Sequence, residues 1–256
     1  DSVTSRRLHF PFRDRRKLAQ AVPFAVEGEL PFELEQVVVD WEIAGGDRTQ
    51  AEVIAQIAPR SEVSRLLALL GEAGCAPRTL EAEGLALGNL AAIFDFPGVR
   101  LLADVGHRKT TFCLLAEGRA VGSRTVRIGG LHLTQALARD RGLDVERAEQ
   151  IKCGEGVLRQ GTSGAQVGAA LERLAREVLL FQGSLEEVTA RLGSGRIESV
   201  VLCGGTALLA GLDEYLSERT GIQTERLGYP REGTGSGFVA AGAPILFAPA
   251  IALALR

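Results

Sequence analysis

An α/β fold carrying a small α+β unit toward its N-terminal end is what this sequence predicts, on three observations. Two apolar strands, ending near Ile128 and Leu202, run through a glycine pair (Gly129-Gly130 and Gly204-Gly205) into a helix, the arrangement that places ligands at strand ends. Before residue 82 the hydrophobic period is mostly two, as in strands. With 256 residues and 46% apolar content, the chain can bury a core sufficient for one large domain or two lobes.

The elements follow in order. Leu8, Phe10 and Phe12 alternate as a half-buried strand, and Arg13 to Val22 follows as a short helix limited by Pro23. Val37, Val39, Trp41 and Ile43 share one strand face, with Asp40 and Glu42 on the other. Val53, Ala55 and Ile57 repeat the pattern after the turn at Gly45-Gly46-Asp47, which predicts an antiparallel pair. Ser61 can cap a helix whose Val63, Leu66, Leu67 and Leu70 form one apolar stripe, with Gly71 and Gly74 near its end. Glu83 to Phe94 reads as a short helix leading into the strand that ends at Asp104. Thr111 to Leu115 then pairs with Ala120 to Ile128 across Glu117-Gly118. Helices follow at Gly129-Gly130, at Val145 to Lys152 and at Gln166 to about Leu192, before the strand Ser199 to Leu202 and its glycine turn.

Composition narrows the function. A net charge of −3 argues against nucleic acid, although Arg6, Arg7, Arg13, Arg15, Arg16 and Lys17 crowd the first seventeen positions as a solvated face or a site for an acidic partner or lipid. Cys75, Cys113, Cys153 and Cys203 have no metal or C-x-x-C spacing, which fits a reducing compartment; a processed periplasmic protein would instead need oxidised pairs. His9, His107 and His132 show no ligand pattern, so no metal site is expected. No methionine occurs and Asp1 opens directly into a strand-like run, so the chain reads as a fragment or a processed product. Gly233 to Leu255 is uncharged, but Gly, Ala, Pro244 and Pro249 make it a loop followed by a buried helix rather than a membrane span.

Four features carry the candidate chemistry. Asp104-x-Gly106 with Thr110-Thr111 ends a strand in a bend whose backbone can approach a phosphate, with a carboxylate to hold Mg²⁺ through water. Gly129-Gly130-x-x-x-Thr134 and Gly204-Gly205-Thr206 let a ribose or purine lie against backbone, and Glu149 with Lys152 shares a helix face that could meet sugar hydroxyls or the base. Each alone is also an ordinary hairpin, helix entry or exposed ion pair; their order along one chain is what points to a nucleotide.

That order resembles the actin-like ATPase superfamily. The first feature is similar to its second phosphate loop, and Gly204-Gly205-Thr206 to its adenosine motif. Phe12 to Lys17, Pro31 to Trp41, Ala73-Gly74 with Leu80 to Glu83, Asp104 to Thr111 and Phe247 to Arg256 resemble the PilM family of type IV pilus assembly proteins and the cytoplasmic domain of its type II secretion relative GspL.

The resemblance implies an actin-like (ribonuclease H-like) two-lobed fold. Residues 1–82 would be an inserted small α+β subdomain, 83–97 a linking helix, and 98–256 the second lobe, with a helical insertion at about 129–195. It places a further strand pair, with the first phosphate loop, before residue 1; without that pair ATP and Mg²⁺ would belong to the intact protein and would not bind tightly here. Asp104, Gly106, Thr110, Thr111, Glu149, Lys152, Gly204, Gly205 and Thr206 would form the nucleotide site. The implied role is a cytoplasmic scaffold at the inner membrane that binds the tail of a PilN-like partner in a groove near the inserted subdomain, or GspM/GspE-like proteins, with a homo-oligomer left open. A true ATPase or sugar-kinase relative is the alternative. Two departures stand out: Ala252 where relatives often have Gly, and the basic run His107-Arg108-Lys109.

Overall fold

In the computed structural model, residues 3–28, 33–158, 164–184, 196–230 and 244–255 are described. A three-stranded antiparallel sheet is built from β1 (Thr4–Phe10), β2 (Val37–Gly46) and β3 (Ala51–Pro59) in the order β1-β3-β2. Val39 stands opposite Ile57, Trp41 opposite Ala55 and Ile43 opposite Val53, so the expected apolar face is continuous across the pair. Helix α1 (Arg15–Glu27) lies on that face, with Leu18, Val22 and Val26 fully buried among Phe10, Val53, Ala55 and Ile57. Asp14 caps it by accepting from the amides of Arg16 and Lys17.

Two expectations are corrected here. Helix α1 does not stop at Pro23 but runs through it to Glu27. An interior proline costs about 3 kcal/mol, and the extra turn offsets this by carrying Val26 into the core, worth roughly 1.5–3 kcal/mol, with Ala25 beside it. Helix α2 (Arg60–Glu72) starts two residues early, after Pro59, and Ser61 makes no cap. Its stripe forms as expected, but Leu66 and Leu67 are each 43% exposed, so it covers no core.

The larger sheet has the order β6-β5-β4-β7-β8. Strands β4 (Val99–Val105), β5 (Thr110–Ala116) and β6 (Arg119–Val126) form an antiparallel meander, and β7 (Ser199–Cys203) and β8 (Gln223–Arg226) extend it in parallel beside β4. The β5–β6 turn has Glu117 and Gly118 both at positive φ, 48° and 73°, which matches the right-handed strand twist. Strand β8 was not expected. Its four residues, Gln-Thr-Glu-Arg, carry no apolar alternation, and it joins through backbone pairing at an edge.

Ala82 leads into a single turn, α3 (Glu83–Ala86), continued by a 3₁₀ segment over Leu87–Ala92. Helices α4 (Gly130–Arg141), α5 (Val145–Gly154) and α6 (Ala165–Ser184) pack together, and Phe181 of α6 stacks on Phe112 of β5 at 5.7 Å. Helix α7 (Leu212–Thr220) precedes β8, and α8 (Pro244–Ala254) packs on the 3₁₀ segment and β7. Helix α8, expected to be buried between packed elements, buries one face through Ile245, Ala248, Ile251 and Ala252 and leaves Leu246, Phe247 and Leu253 exposed. The start of the uncharged stretch at Gly233, the helix beyond residue 184, Pro31 and Phe32 lie outside the described residues. No described helix is long and apolar enough to cross a membrane.

Candidate functional site

Parallel pairing of β4 and β7 sets Asp104 opposite Cys203, so the loops that follow both strands leave the sheet at one end. The bend Gly106 to Lys109 closes when the Gly106 amide donates to the Lys109 carbonyl at 3.0 Å. The Gly106 carbonyl then accepts from Gly130 N at 2.9 Å and from Thr206 Oγ1 at 2.9 Å. One carbonyl thus gathers three of the four motifs. The His107 carbonyl accepts from Leu131 N at 2.6 Å, and Gly204 N donates to Ile245 of α8 at 2.7 Å.

Glycine is required where these segments cross. A Cβ on Gly129 would stand 2.5 Å from the Gly106 carbonyl oxygen; on Gly204, at φ +87°, it would stand 2.3 Å from Asp104 Oδ1. Gly205 differs: a Cβ there would meet no described atom within 4 Å. Among the described residues the amides of His107 and Arg108 have no backbone partner, and glycines and cationic side chains stand beside them, a combination that can receive a phosphate.

Asp104 is only 9% exposed, and its carboxyl is pushed up to about 6, first by burial and then by the nearby Glu83 charge, with Lys109 opposing. Lys109 itself forms an ion pair with Glu83. Among the described residues no three acidic, histidine or cysteine side chains converge as metal ligands. A divalent ion at Asp104 would therefore arrive with the phosphate it neutralises.

Thr110 and Thr111 sit differently from the expectation that their hydroxyls line the bend. Both are fully buried in β5; Thr110 Oγ1 donates to the Ile128 carbonyl at 2.7 Å, and Thr111 Oγ1 lies 3.3 Å from Thr125 Oγ1. As neighbours on β5 they point to opposite faces, and both faces of this strand are covered, which the one-dimensional motif does not show. Glu149 and Lys152 are brought to the cleft through α4. Lys152 is 7% exposed, and its ammonium donates to the Gly130 carbonyl at 3.3 Å, Thr134 Oγ1 at 2.9 Å and Glu149 Oε2 at 2.8 Å. Partial burial works against the Glu149 carboxylate, but bonds from Lys152 and Thr134 outweigh it and hold its pKa below the usual value. This is not a surface pair; it stiffens the junction where α4 meets α5.

His9 pairs with Gln50, and His132 Nδ1 accepts from the Gly129 amide at the start of α4. Ala252 is fully buried, and its carbonyl accepts from Asn89 at 3.1 Å.

The resemblance implied a groove near the small unit, with none of its residues named. A groove of about 470 Å³ runs between α2, the outer face of the small sheet and the segment before α3, with Val38, Ala58, Leu66, Leu80 and Leu85 along it. Asp40, Glu42, Glu62 and Glu81 line it against the single guanidinium of Arg65. The exposed leucine stripe of α2 was its signal; the opposing wall comes from residues far apart in sequence. Beside it, β1 touches β6 through Ser5 and Ser123, 2.9 Å apart, and Arg7 donating to the Val121 carbonyl at 2.9 Å.

Comparison with known proteins gives a consistent answer. The sequence profile of a family described as type IV pilus assembly protein PilM matches residues 3–232. A solved PilM-PilN type IV pilus biogenesis complex contains a chain 26% identical to this one, with a TM-score of 0.78 over 100% of this chain and 76% of that one. MreB5 of Spiroplasma citri, solved with ADP, is 18% identical with a TM-score of 0.55, over 77% of this chain and 65% of that one. The same protein solved with AMPPNP is 20% identical with a TM-score of 0.52, over 66% and 60%. The fold is actin-like.

Proposed function

The chain belongs to the type IV pilus assembly protein PilM family, and on that premise we propose that it is a scaffold of the pilus assembly platform with two ligand sites. The groove beside α2 takes the cytoplasmic tail of a PilN-like membrane partner, and the cleft at Asp104 takes the phosphates of a nucleotide. The observation that carries this reading is that the Asp104 bend, Gly129-Gly130, Lys152 and the Gly204-Gly205-Thr206 turn meet at one end of the large sheet, with a separate, partly apolar groove beside α2.

The groove supports an extended or helical peptide of mixed character. Val38, Leu66, Leu80 and Leu85 offer apolar contact, while four carboxylates against one guanidinium favour a segment carrying Lys or Arg. On this reading residues 1–82 act as the recognition unit, and the protein works at the cytoplasmic face of the inner membrane.

Fluorescence polarisation with a labelled PilN-type N-terminal tail peptide tests it. We expect binding that Leu66→Asp weakens about tenfold or more, since a charge is placed on the groove's apolar wall. No binding by the unaltered chain, with or without Mg·ATP, removes the proposal.

A further inference from the structure

Lys109 and Glu83 link the two concavities. Lys109 closes the bend with its carbonyl, and its ammonium reaches Glu83, the first residue of α3. Their side chains are 34% and 35% exposed, so burial commits neither to the other. Both act on Asp104 in opposite directions, which places all three charges within one electrostatic neighbourhood. A phosphate held by the bend beside Asp104 would compete with Glu83 for the same ammonium.

Past Glu83 the chain runs along β6. A Cβ on Gly84 would stand 2.6 Å from Ser123 Cβ, so this segment rides directly on β6. Ser123 meets Ser5, and Ser5 exchanges hydrogen bonds with Gln56 of β3 at 3.1 and 2.9 Å. Leu80, Glu81 and Ala82, immediately before Glu83, form one wall of the groove.

We propose that Lys109 is a shared cation: it pairs with Glu83 while the bend holds no anion and turns to a di- or triphosphate bound there, and the release of Glu83 lets the Leu80–Gly84 segment shift and alters the groove's affinity for its peptide. This rests on the two-site reading above and supplies the element that couples the sites. Coupling of this kind is reciprocal, so the peptide changes phosphate affinity by the same factor.

The test is a thermodynamic cycle on the full chain. The tail peptide is titrated alone, with millimolar Mg·ATP and with millimolar inorganic tripolyphosphate, and each anion is titrated separately by NMR on the bend amides. In the unaltered chain we expect the anion to change peptide affinity about fivefold, the equivalent of about 1 kcal/mol for a part-exposed ion pair. Glu83→Gln should bind the anion roughly two- to fivefold tighter and Lys109→Gln more weakly, and both should leave peptide affinity indifferent to anion. A response to Mg·ATP alone assigns the anion to a nucleotide; a response to both anions assigns it to the triphosphate group.

Circular dichroism matching the unaltered chain establishes that the variants are folded. Two outcomes overturn this inference while leaving both sites standing: independent binding of anion and peptide in the unaltered chain, or full coupling retained in Glu83→Gln. Failure of the unaltered chain to bind either ligand overturns the two-site reading and this inference together.

Discussion

Asp104 is a carboxylate kept where its charge is disfavoured, and the cost should appear in the pH dependence of stability. Unfolded, it titrates near 3.8; folded, burial and Glu83 raise it to about 6. Between those values the folded state holds a proton that the unfolded state has released. This contribution is therefore full below about pH 4 and is lost as pH rises through 6, a fall of at most about 3 kcal/mol. Urea denaturation from pH 4 to 8 should show this decline, and Asp104→Asn should flatten it and stabilise the protein above pH 6.5 by about 1–3 kcal/mol. Equal pH dependence in both proteins would refute it. A residue retained at such a cost fits a ligand-facing role. Its position before Gly106 was readable from the chain, whereas the burial of Thr110 and Thr111 was not, because a side chain's direction depends on strand register.

Among the elements, α1 shows how tertiary packing outweighs a local rule. Leu18, Val22 and Val26 recur at i, i+4 and i+8, and that spacing was in the sequence on both sides of Pro23. Giving the proline priority shortened the helix by five residues, from Glu27 to Val22. Pro23→Ala should restore the amide that donates to Ala19 and raise stability by about 1 kcal/mol or more, with unchanged chemistry at both concavities. Differential scanning calorimetry measures this; a lower Tm would mean that the ring itself packs usefully. The strand pairs were legible because an antiparallel sheet with one covered face writes its period into the sequence. The polar edge strand β8 wrote none. Helix α2 lies between these cases: its stripe was visible, but periodicity names a face and not what covers it.

On the scale of the whole molecule, the small sheet has its own core and meets the large one through few bonds, chiefly Ser5 to Ser123 and Arg7 to Val121. Its amides should therefore exchange with solvent sooner than those of β4, β5 and β7, and peptide bound in the groove should slow them. Hydrogen exchange read by mass spectrometry decides this, and uniform protection across both sheets would contradict it. The glycine motifs were legible as an ordered set, but no local pattern could reveal that Lys109 meets Glu83 or that two distant segments enclose a groove. Distance along the chain has one more effect. Thr206 reaches the carbonyl of Gly106 across 100 positions. A ribosome delivers the β4–β6 meander long before β7 emerges to lie against it, so the Gly106 bend must wait for its Thr206 partner until about a hundred further residues have been made.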